Sequence, residues 1–258
     1  MLTAGLALAA GAPVPAAVRL GVAMVGFQFS IGALNDLRDA PADAGQKLRK
    51  PIPLALVGVG EAWVVWAAGL AAGALLSAQA GPATLAIGLA GASAGYLYDL
   101  RLKGTALSWL PFALGIPLLP VFAWVGATGG LPGVFVLVLP LAALAGSGLA
   151  VANALGDLER DQAAGVSSIA TRLGLSRAWQ AHALLLLGVV VAAVGLAGVG
   201  GGLAPLAVAG MVAGSALVLA GVATGRGGHP GRRELAWEVE AAGIGLVALA
   251  WLAGVAAA

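Results

Sequence analysis

Two short frames hold most of the chemistry available to this sequence. "NDLRDAPAD" begins at Asn35 and "NALGDLERD" at Asn153, and both read N-x-x-x-D-x-x-x-D: Asn35, Asp39 and Asp43 in the first, Asn153, Asp157 and Asp161 in the second. At i, i+4 and i+8 an amide and two carboxylates share one face of a helix. Two such stripes facing each other in low dielectric repel unless cations lie between them. The chain has no Cys, and His182 and His229 stand alone, so the donors are hard oxygens. Such donors suit magnesium, which binds through one or two carboxylates together with phosphate oxygens. Lys47, Arg49 and Lys50 follow the first frame closely. Carboxylates, Mg2+ and a ring of cations would make a clamp for pyrophosphate.

The elements that must position these frames cross a membrane. The chain of 258 residues is 60% hydrophobic and only 9% charged, with a mean hydropathy of +1.00, far outside the soluble range. Apolar runs long enough to span, about 20 residues each, lie at roughly 14–34, 54–77, 83–98, 107–127, 132–155, 181–199, 203–223 and 239–257. A shorter run at 2–12 has no Lys or Arg before it, so it lacks the charged start of a signal peptide and is taken as a membrane segment. The expectation is an all-α polytopic bundle of eight to nine transmembrane helices in a single domain, 1–258. Pro41 lets the first stripe leave its helix near the end, whereas the second can stay helical.

Loops alternate in charge. One side collects every Lys and Arg except Arg19, and loops around Gly11, Gln79, Thr128 and Gly200 have none. Cytoplasmic loops concentrate Lys and Arg, so a multi-pass cell-membrane protein with its charged face in the cytoplasm is expected. The basic residues are thereby explained by topology, and a nucleic-acid partner is not. The frames are 118 residues apart, four helices, which returns the chain to the same side. Two pseudo-repeated four-helix halves, about 14–127 and 132–257, would then face each other across a central cavity. Small residues line nearly every helix and permit close packing.

At these residues the sequence resembles the UbiA superfamily of intramembrane prenyltransferases. That family has an NxxxDxxxD motif after its second helix and a DxxxD motif after its sixth. Likeness continues through "RKPIP" (Arg49 to Pro53), "YLYDLRLKG" (Tyr96 to Gly104) and "GVSSIATRLG" (Gly165 to Gly174). Lys50 stands where members often have Arg, Ser167 where Lys is frequent, and Tyr98 and Lys103 are five apart where four is common. The resemblance implies that Asp36, Asp39, Asp43, Asp157 and Asp161 hold Mg2+ with an isoprenyl diphosphate, and that Asn35 and Asn153 orient that shell. Arg49, Lys50, Lys103 and Arg101 would neutralise the leaving group, with Tyr98 steadying it or anchoring the membrane interface. An aromatic or other lipophilic acceptor would capture the allylic cation.

Three other readings compete. A terpene cyclase of the same fold would use the same site without an acceptor. A transporter is favoured by the repeat but disfavoured by acids placed at the membrane face rather than its midplane. In the blandest reading, Asp157, Glu159, Arg160 and Asp161 pair locally with Arg172 or Arg177 at a solvated helix end; two frames in matching register count against it.

Overall fold

Proline and glycine set most helix boundaries. Pro82, Pro205 and Pro230 open helices, where the missing N–H would have had no helical partner, and Gly129 closes one at φ 80°. The computed structural model describes residues 1–43, 50–197, 204–227 and 229–256. In chain order the helices are α1 (Leu2–Ala9), α2 (Val14–Asp43), α3 (Val59–Ala78), α4 (Pro82–Leu97), α5 (Leu110–Thr128), α6 (Phe135–Gly156), α7 (Leu158–Ala163), α8 (Ile169–Gly195), α9 (Pro205–Gly225) and α10 (Pro230–Ala256). Among the described residues no strand occurs.

Seven of these helices, α2, α3, α5, α6, α8, α9 and α10, are long and apolar enough to cross a bilayer. The protein is therefore a multi-pass membrane protein. The run at 83–98 forms α4, whose 16 residues fall short of a span by themselves, and the run at 2–12 forms α1, of 8 residues. At 1.5 Å per residue neither covers a hydrocarbon core of about 30 Å. Inside α8, Gly174 adopts φ 73° and ψ 162°, a kink that a residue with a Cβ would resist.

Small residues set the helix spacing. A Cβ on Gly69 of α3 would lie 2.6 Å from the Gly26 carbonyl oxygen of α2, and one on Gly214 of α9 would lie 2.8 Å from that of Gly243 on α10. Lipid offers no hydrophobic drive between helices, so close backbone approach and interhelical hydrogen bonds hold such pairs. Ser30 supplies two of those bonds, to the Trp66 carbonyl at 2.8 Å and the Tyr96 hydroxyl at 2.6 Å, stitching α2 to α3 and α4. Trp66 packs on Trp63 and Tyr96. The main core joins Leu6, Leu20, Phe27, Phe122, Trp124, Trp251 and Leu252 from α1, α2, α5 and α10.

The two aspartate frames end differently from expectation. The first stays helical through Asp43 with Pro41 inside the helix; so near the C-terminus, Pro41 forfeits only one backbone bond there. The second breaks at Asp157, whose φ of −98° and ψ of 1° separate α6 from α7.

Candidate active site

The last turns of α2 place Asn35, Asp36 and Asp39 at one end of the bundle. Asn35 is oriented from behind: its Nδ2 donates to Oδ1 of Asp99, 2.8 Å away. Asp99 is buried, and its Oδ2 has no hydrogen-bond partner in the described structure. Burial pushes the Asp99 carboxyl up to about 6, with the Asn35 bond and the Lys103 charge pulling the other way. With Nδ2 so engaged, the Asn35 Oδ1 turns to Lys50 Nζ, 3.4 Å distant. Lys50 also pairs with Asp36, and Lys103 pairs with Asp39.

Lys103 reaches Asp39 because of a π-helical turn, Tyr98–Leu102, that follows α4. Lys103 N donates to Tyr98 O at 2.8 Å, an i to i+5 bond. The turn absorbs the extra residue between Tyr98 and Lys103 and leaves the ammonium 6.0 Å from the Tyr98 ring centroid. A one-residue insertion in a helix is commonly absorbed this way.

The second frame joins through Tyr98, whose hydroxyl accepts from Asn153 Nδ2 at 3.5 Å. Asp157 pairs with Arg160 in the next turn, not with Arg172 or Arg177; Arg172 donates to the Ser167 hydroxyl instead. Asp161 is half-buried, and its backbone continues the fold by bonding Asp157 and Val166. Among the described residues no three Asp, Glu or His side chains converge closely enough to hold an ion by themselves.

Beneath these groups lies a cavity of about 420 Å³. Asn35, Asp36, Lys50, Tyr98 and Asp99 line its polar end, and Met24, Phe27, Ile87, Phe112 and Phe122 its apolar walls. Phe27 and Phe122 meet edge to face at 6.4 Å, as do Phe112 and Tyr98 at 5.3 Å. Ile116 and Leu119 of α5 separate this space from a second, almost wholly apolar one of about 290 Å³.

The structure thus brings Asn35, Asp36, Asp39, Lys50, Tyr98, Lys103 and Asn153 together. Arg101 is exposed and makes no hydrogen bond or ion pair among the described residues. The Asp43 side chain and Arg49 lie outside the described residues. Glu61 sits in the first turn of α3 and accepts from Gly58 N at 2.9 Å. Sequence reasoning missed Asp99 and Phe112; the one available signal was an acid directly after Tyr98, at the end of the apolar run 83–98.

Residues 1–237 match the model of the UbiA prenyltransferase family. The chain belongs to this family. Its fold is similar to that of a UbiA homologue from Aeropyrum pernix K1, with a TM-score of 0.78 at 20% identity over 96% of this chain and 94% of that one. A UbiA homologue from Archaeoglobus fulgidus bound to GPP and Mg2+ superposes with a TM-score of 0.66 at 17% identity, over 96% and 95% of the two chains. Chloroplastic chlorophyll synthases are related in sequence. That of Oryza sativa subsp. japonica is 30% identical over 171 residues, 61% of this chain and 44% of the relative. That of Arabidopsis thaliana is 31% identical over 172 residues, 61% and 43% respectively. The chain therefore spans less than half the length of these plant relatives.

Proposed function

We propose that this UbiA-family member is a magnesium-dependent intramembrane prenyltransferase, moving an isoprenyl group from its diphosphate to an aromatic or other lipophilic acceptor. The observation that carries the reading is the gathering of Asn35, Asp36, Lys50, Tyr98 and Asp99 at the polar end of an apolar cavity, with Lys103, paired to Asp39, 6.0 Å from the Tyr98 ring. A diphosphate needs the polar end; a hydrocarbon tail needs the apolar cavity.

The donor set fits magnesium. It consists of carboxylate and amide oxygens, and since no three acids converge unaided, phosphate oxygens would complete the shell, this ion's ordinary mode. Asp36, Asp39, Asp43, Asp157 and Asp161 would hold it, and when bound it supplies neutralisation of the charge on the departing diphosphate. The Archaeoglobus homologue bound to GPP and Mg2+ supports the choice of this ion.

The chain's own cations carry the rest. Lys50 and Lys103, now paired with Asp36 and Asp39, would turn to the leaving group, joined by Arg49 and Arg101. Asn35 and Asn153 orient the shell from positions fixed by Asp99 and Tyr98. Donors aimed at charge that develops in the transition state are the largest catalytic term in most such sites. As the allylic C–O bond breaks, its electron pair leaves with diphosphate; the acceptor forms the new bond and releases a proton. The apolar walls, Phe112 and Phe27 among them, exclude water that would otherwise take the cation. The charged end faces the cytoplasm on this reading, because Lys and Arg collect there, and the two frames descend from a repeat with halves at about 14–127 and 132–257.

The test is pyrophosphate release from a panel of prenyl diphosphates by detergent-purified protein, with and without Mg2+ and an acceptor extract. Magnesium-dependent release, abolished in Asp39→Asn and Asp157→Asn, is expected. Release that needs no acceptor and yields cyclised hydrocarbon would make the protein a cyclase; no release with any donor would favour transport.

A further inference from the structure

Arg232 and Arg233 are neighbours in sequence, and both could serve as topology signals. The structure separates them. Arg232 is exposed, while Arg233, in the first turn of α10, retains only 2% of its surface. A charge placed only to orient a helix stays in water; a buried guanidinium must be matched by partners.

Two of its partners lie on one short stretch. Arg233 Nε donates to the Leu155 carbonyl at 2.8 Å, and its guanidinium pairs with Glu159. Leu155 and Glu159 bracket Asp157, the residue at which α6 stops and α7 begins. The final carbonyls of a helix lack intrahelical donors and carry the negative end of its dipole. Arg233 satisfies one of them and ties the following turn to α10. Asp157 itself pairs with Arg160, which keeps 34% of its side-chain surface against 1% for Arg233. The exposed Arg160 can yield to a ligand, whereas Arg233 is held in place beside the break. Under Arg233, a small space lined by Gly225, His182 and Glu240 ends in a buried pair, His182 Nε2 to Glu240 Oε1 at 3.3 Å.

We infer that Arg233 is the positioning residue of the second aspartate motif, holding the α6–α7 break in the shape that presents Asp157 and Asp161 to a metal-bound diphosphate. The inference rests on the functional reading above. It couples the last helix of the bundle to the site without contact with substrate.

The decisive experiment is Mn2+ binding by electron paramagnetic resonance, in the presence of inorganic pyrophosphate, on full-length wild type, R233Q, R233K, E159Q and R232Q in detergent. Turnover and thermal midpoint are measured beside it. R233Q should weaken Mn2+ binding by about tenfold or more and lower turnover by about 10- to 100-fold, as supporting-shell changes do, while R232Q matches wild type. E159Q and R233K, each keeping part of the clamp, should fall between. Wild-type Mn2+ affinity in a folded R233Q overturns the inference alone. If R233Q does not fold, E159Q and R233K decide: both folded with unchanged affinity overturns it as well. A wild type that binds no Mn2+ with pyrophosphate overturns the functional reading, and the inference falls with it.

Discussion

The Nδ2 of Asn35 donates to the buried carboxylate of Asp99 at 2.8 Å, across the gap between α2 and the turn after α4. An amide whose nitrogen is held this way presents its oxygen to the other side, here toward Lys50. The orientation of a residue in the first motif is thus set by a residue outside both motifs. Asp99→Ala should free the amide and slow diphosphate release by about 10- to 100-fold. Asp99→Asn, which still offers an acceptor, should retain more activity. Release at the wild-type rate by Asp99→Ala would remove Asp99 from the site.

Asp99 also makes stability depend on pH. Its folded-state pKa, about 6, lies above the ordinary 3.8 because of burial, so folding favours the protonated form. The sign follows: the carboxyl contributes no penalty below its unfolded value, and a growing one as pH rises through about 6, after which it is constant. Thermal unfolding in detergent between pH 4 and 8 should therefore show Asp99→Asn gaining on wild type from pH 4 to about 6 and running parallel above. A constant difference across the range would contradict this assignment.

Lys103 pairs with Asp39 by virtue of the π turn. Lys103→Met should cut turnover by about a hundredfold, the scale of losing one electrostatic donor, with little change in the thermal midpoint. Deleting Leu100 shortens the Tyr98 to Lys103 spacing to four, which an ordinary α turn accommodates with both side chains on one face. That deletion should stay within about tenfold of wild type. A loss equal to that of Lys103→Met would mean the turn itself is required.

Backbone contact between α2 and α3 carries the first motif. Gly69→Ala would push a methyl to within 2.6 Å of the Gly26 carbonyl oxygen, so overpacking should cost about 1–3 kcal/mol and reduce activity by displacing the motif helix. Gly188→Ala on α8, where nothing lies within 4 Å, should be neutral or slightly stabilising, since alanine prefers helix. Thermal unfolding of the two variants side by side tests the contrast.

The sequence by itself determined that the chain crosses a membrane through many helices, that its carboxylates and cations collect at one end, and that two frames of like spacing offer only oxygen donors. These features are periodic or compositional, so they survive without knowledge of which helices touch. It also placed Lys50, Lys103 and Tyr98 among the candidates. What the structure added is that α4 stops at Leu97 and passes into a π turn. It also decided that the first frame stays helical and the second breaks. Only packing revealed Asp99 behind Asn35 and Arg233 behind Asp157, 64 and about 76 positions away in the chain. Such supports leave no spacing signature, because whether a buried charge is stable depends on the partners that the fold brings to it from distant segments.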